Sequence, residues 1–69
     1  MINYNELLPL DKKVLENKSY DFQKDYLVTR IDTIKQEMET CSQEDDYVAD
    51  LNKEVNRLSR VLQQIIKAQ

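Results

Sequence analysis

The stretch DDYVADLNKEVNRLSRVLQQII, residues 45 to 66, places Val48, Leu51, Val55, Leu58, Leu62 and Ile65 at steps of 3, 4, 3, 4 and 3. Steps of that kind bring side chains to one face of an α-helix. Nothing inside the stretch interrupts it, because the chain has no glycine and a single proline, Pro9. The spacing predicts a helix over about 44–67. Tyr47, Val61 and Ile66 widen its apolar arc to roughly 140°, and a face broader than a coiled-coil seam meets more than one neighbour. Asp50, Lys53, Arg57, Arg60, Gln64 and Lys67 fill the opposite side.

The first neighbour is legible upstream. Tyr20, Leu27, Ile31, Ile34, Met38 and Cys41 lie within about 40° of one line when each residue turns by about 100°. A helix is predicted from about 19, with Ser19 as N-cap and Asp21 and Asp25 near the positive end of the helix dipole. Weaker helix is predicted from 11, where Asp11 can cap but Lys12 and Lys13 would oppose the dipole. Residues 1–10 are mixed in pattern, and Pro9 biases Leu8 away from helical backbone. Between the two helices, TCSQEDD breaks the apolar rhythm. There Ser42 and Asp45 form a weak capping box, and Glu44, Asp45 and Asp46 suit a helix start.

The predicted fold is therefore all-α: an antiparallel two-helix hairpin over 19–69 behind an N-terminal arm, 1–18, that is weakly ordered or a short helix. A turn near 42–44 sets Met38 near Val48, Ile34 near Leu51 or Val55, Ile31 near Leu58, and Leu27 near Leu62. One continuous helix, paired in a dimeric rod, is the alternative. Without glycine, any turn that needs positive φ falls to Asn or Asp.

Several functions are disfavoured by what the chain carries. The chain has 69 residues, and at that length it forms one domain that buries only about 60% of its unfolded surface. One cysteine, Cys41, and no histidine leave neither an internal disulfide nor a metal-ligand set, so we expect no metal or cofactor. The unbridged thiol fits a reducing compartment, and Cys41 reads as a small buried hydrophobe. Paired carboxylates for acid-base chemistry need a concave, partly dry pocket that a hairpin lacks, so no enzyme activity is expected. Lys53, Arg57, Arg60 and Lys67 form a basic stripe. Asp50 and Glu54 interrupt it, the net charge is −3 and no aromatic ring adjoins it, so nucleic-acid binding is not expected. No window approaches the roughly 20 apolar residues of a membrane span, and MINYNELLPLDKK does not read as a signal peptide. The expected location is cytoplasmic, without membrane insertion.

One helix-helix seam cannot cover an arc this wide. It leaves Val61 wet, together with Phe22 and Tyr26, and Leu15 joins them if helix reaches back that far. This second patch has three possible occupants: the arm, folding Leu7, Leu8 and Leu10 over it; a second copy in a weak homodimer; or another protein. Aromatic and branched aliphatic anchors of this type serve protein interfaces, and the reading adopted is the last.

The acidic turn, the early Tyr47 and the cluster Leu58, Leu62, Ile65 and Ile66 resemble the small helical-hairpin co-chaperones of type III secretion needle subunits. The resemblance spans about residues 19 to 67. It implies a partner, a larger chaperone built from tetratricopeptide-like helical repeats, and indirectly the needle subunit, which the pair keeps from polymerising before export. It carries Tyr47, Leu51, Leu58, Leu62, Ile65 and Ile66 over as seam and partner-binding positions. Here the turn has no glycine, and the first dozen residues have no counterpart. With Leu15, Phe22, Tyr26 and Val61 of the second patch, these make up the predicted partner surface. The rival reading is a structural homodimer, two hairpins in a four-helix bundle acting as a scaffold. On the two-face view, Asp at Leu58 or Ile34 should unfold the hairpin, whereas Asp at Phe22 or Val61 should weaken association only.

Overall fold

The structure, a computed structural model, describes residues 2–40 and 46–69. A 3-10 turn, Tyr4–Glu6, leads into α1, Pro9–Leu15, then α2, Tyr20–Thr40, and α3, Asp46–Ala68. Helix α2 packs along α3, while the turn lies on α3 and α1 on α2. The fold is all-α: an α2–α3 hairpin with a third, short helical layer laid over one side of it. The ion pair Arg30–Glu54 and the hydrogen bond from Gln69 Nε2 to Asp21 Oδ1, 3.2 Å, fix the two long helices as antiparallel. The connection at 41–45, with the Ser42 cap and the Cys41 position, falls outside the described residues.

The short helix begins at Pro9 rather than at residue 11, for a physical reason. Proline needs no hydrogen-bond partner for a missing N–H, and its fixed φ suits the first helical position. Leu8 before it is extended, with φ −63° and ψ 152°. Starting two residues earlier also changes the electrostatics. Asp11 now lies in the first turn, and Lys12 and Lys13 in the last, where positive charge is favourable.

The arm's helix does not run on into α2. The chain turns through Glu16–Ser19, with Asn17 in the left-handed region at φ 63°. In a sequence without glycine, asparagine is the residue that takes this conformation at least cost. Ser19 then starts α2, its Oγ accepting a hydrogen bond from the Phe22 N–H at 3.3 Å.

The core joins all layers. Leu27, Ile31 and Ile34 of α2 are buried with Leu51, Val55, Leu58, Val61 and Ile65 of α3, and Leu7 and Leu15 of the arm close the same cluster. Met38 and Leu62 are partly buried against it, as are Ile2, Tyr4 and Tyr26. Tyr20, which the spacing placed on the α2 seam, lies at the helix start and is exposed.

Candidate partner-binding surface

The side of the hairpin expected to stay wet is the side the arm covers. Val61 is 0% and Leu15 1% exposed, so both belong to the core, and Tyr26 is partly buried between α1 and α2. Of Leu7, Leu8 and Leu10, only Leu7 folds in; Leu8 and Leu10 point outward, Leu10 being 73% exposed. Helix α1 is too short and too polar to bury more than one stripe, and Leu15 and Asp11 occupy it.

Polar contacts fasten the arm along its length. The Asn3 N–H donates to Gln64 Oε1 at 2.6 Å, and Arg60 Nε donates to Glu6 Oε1 at 2.8 Å. The Tyr4 hydroxyl donates to Gln23 Oε1 at 2.8 Å. Gln23, itself buried, turns its amide nitrogen to the carbonyls of Leu15 and Lys18, at 3.2 and 3.0 Å. One side chain thereby caps the end of α1 and holds it against α2.

Beneath α1 lies a charged cluster. Asp11 is buried and accepts a hydrogen bond from the Tyr26 hydroxyl. Arg30 sits between two carboxylates, with Nε 3.4 Å from Asp11 Oδ1 and a terminal nitrogen 3.0 Å from Glu54 Oε1. This ties α1, α2 and α3 at one point. Burial pushes the Tyr26 hydroxyl above its ordinary pKa, the hydrogen bond to Asp11 and that carboxylate's charge add to the rise, and Arg30 opposes it. Asp11 Oδ2 is buried without a hydrogen-bond donor among the described residues.

Of the predicted partner residues, Leu51, Leu58 and Ile65 are buried in the hairpin seam, as their spacing requires. Phe22 remains 43% exposed, Tyr47 49% and Ile66 47%, and Leu62 is partly exposed at the edge of the seam. Lys18 stands over the Phe22 ring at 5.5 Å. The structure also leaves Tyr20 and Val28 exposed. Of the fastening residues, Gln23 and Glu6 were not singled out in the sequence, and Asp11 was read there only as a helix cap. Their only signal there is weak: a glutamine in line with an apolar seam, and an acid in the first turn of a proline-started helix.

A cavity of about 500 Å³ opens between the arm and the α1–α2 turn, lined by Tyr4, Lys12, Leu15, Glu16, Asn17 and Gln23 among others. Its Tyr4 and Gln23 groups are committed to each other and to backbone carbonyls. Among the described residues, no three His, Cys, Asp or Glu side chains gather as a metal site, and no helix is long and apolar enough to cross a membrane. Comparison with protein-family models, curated proteins and solved structures gave no match.

Proposed function

We propose that the chain is a non-catalytic binding protein, a co-chaperone that pairs with a larger helical-repeat chaperone of the type III secretion apparatus and so helps keep the needle subunit from premature polymerisation. The observation that supports partner binding is the set of large apolar side chains left outside a core that is already closed. Phe22 and Ile66 stay more than two-fifths exposed after the arm has folded down. The Gln69–Asp21 contact brings the start of α2 beside the end of α3, so the two side chains flank one end of the hairpin. Anchors of this kind, once desolvated, carry most of the energy of an interface. The secretion setting rests on the resemblance of residues 19 to 67 alone.

Co-expression with the tetratricopeptide-like chaperone and needle subunit of one secretion apparatus tests this. The expected result is a stable stoichiometric complex in which the larger chaperone is soluble only with the chain present. Phe22→Asp should weaken the complex by at least about tenfold, while circular dichroism of the isolated chain stays unchanged. A chaperone that folds and holds the needle subunit equally well without the chain would defeat the proposal.

A further inference from the structure

The turn between α1 and α2 is built from residues that a helix also accepts. Glu16 has φ −60° and ψ 128°, Asn17 has φ 63°, and the Lys18 N–H donates to the Leu15 carbonyl at 3.2 Å. That is the pattern of a type II turn, whose third position needs positive φ and is usually glycine. Here the four residues are Leu15, Glu16, Asn17 and Lys18, with neither a glycine to relax the third position nor a proline to lock the second. Asparagine takes the left-handed conformation more readily than other residues with a side chain, yet still at a cost.

The hydrogen bonds around this turn have ready substitutes in a helix. The Leu15 and Lys18 carbonyls accept from Gln23 Nε2 at 3.2 and 3.0 Å, and the Phe22 N–H donates to Ser19 Oγ at 3.3 Å. In a continuous helix, the Ser19 and Phe22 N–H groups would reach those same two carbonyls through ordinary intrahelical bonds. The seat of the arm, meanwhile, is incompletely satisfied. Asp11 Oδ2 and Arg30 Nε are buried without a hydrogen-bond partner among the described residues. Releasing the arm returns Asp11 to water and gives up the burial of Leu7 and Leu15.

We infer that the arm is a hinged strap. In the closed form it lies over the hairpin, as described above. In the open form the turn straightens, α1 and α2 become one helix from Pro9 to Thr40, and the Tyr4–Glu6 turn leaves α3. Asp11, in contact with Arg30 when closed, then lies about 28 Å from it along the helix axis. Opening also redraws the surface. Leu15, buried in the closed form, joins Phe22 and Tyr26 at steps of 7 and 4 on one helical face. Val61, 0% exposed beneath the arm, loses its cover on the same side of the hairpin. The strap therefore decides when the apolar side chains around Phe22 form one continuous patch; that use of it rests on the co-chaperone reading, while the hinge itself does not.

Spin labels on Leu10→Cys and Thr33→Cys, both at exposed positions, in the full chain carrying Cys41→Ser, report the two forms by double electron-electron resonance. Closed, the Asp11–Arg30 contact holds the two positions close; open, about 35 Å of continuous helix separates them. The expected result is a narrow component near about 35 Å that grows at least about fivefold from the unaltered turn to Asn17→Ala and shrinks in Asn17→Gly. Alanine favours helix and resists the left-handed conformation, whereas glycine relaxes the turn. Helical circular dichroism should rise with that component in Asn17→Ala. A single short distance in Asn17→Ala overturns the inference, as does a long component equal in Asn17→Ala and Asn17→Gly. A broad distribution with less helix overturns it too, since the arm has then melted rather than straightened. Neither measurement reads binding to a chaperone, so the strap can fail while the co-chaperone reading stands, and the reverse.

Discussion

Tyr26 shows how one hydroxyl ties a surface arm to the body of the protein. Its proton is donated to the buried Asp11 carboxylate, whose second oxygen has no donor among the described residues. Ionising Tyr26 would remove the hydrogen bond and set two negative groups against each other. Because its pKa is raised in the folded protein above the ordinary 10.0, its contribution is fully present below that value and is lost as pH climbs through the raised one. Urea denaturation followed by circular dichroism should show the protein weakening above pH 10.0 more steeply than Tyr26→Phe. At neutral pH, Tyr26→Phe should be the less stable by about 1.5–3 kcal/mol, the worth of one hydrogen bond to a charged group. None of this could be read from the sequence. Tyr26 reads there as an off-seam aromatic and Asp11 as a cap, and no periodicity announces that they meet across a turn of left-handed backbone at Asn17.

At the scale of elements, the two long helices were legible and the third only partly so. Period and the absence of breakers locate α2 and α3 to within two residues, since a face repeated over more than five turns admits one angle. The breadth of the α3 arc also announced a second neighbour. What it could not announce is that the neighbour is the arm of the same chain, its turn Tyr4–Glu6 lying on α3 and its seven-residue helix on α2. So short a helix has no independent stability and no period of its own, and it exists because Leu15, Leu7 and Gln23 hold it down. The consequence is testable at Val61, which belongs with Leu58 rather than with a free face. Aspartate at either position should cost about 3–5 kcal/mol through an unpaired buried charge. A chain of 69 residues is stable by roughly 3–10 kcal/mol, so Val61→Asp should lose most of its helical circular dichroism, whereas Phe22→Asp should lose none. Equal loss in both would mean that Phe22 is not outside the core.

The whole molecule measures 38 × 20 × 19 Å, and α3 runs its long axis. Its three helical layers share one core, yet they are unequally secured. The hairpin rests on a continuous apolar seam. The arm rests on two leucines, a glutamine cap and a few polar contacts, of which Arg60–Glu6 lies at the surface and is worth less than about 1 kcal/mol. The arm is joined to α2 by the short turn at Glu16–Ser19, so it behaves as a ligand that the protein carries with it. Tethering of that kind holds a weak binder at a local concentration in the millimolar range or above. Any protein that needs Tyr26 or Val61 must compete with that occupant first, and its measured affinity is lowered by the fraction of time the site is closed. Hydrogen exchange should therefore find amides of α1 opening well before those of α3, with Asp11→Asn widening the gap; uniform protection would mean that the arm never lets go. Occupancy of that side is then set by a competition between a covalently attached segment and a free one, and the length of the joining turn tunes it.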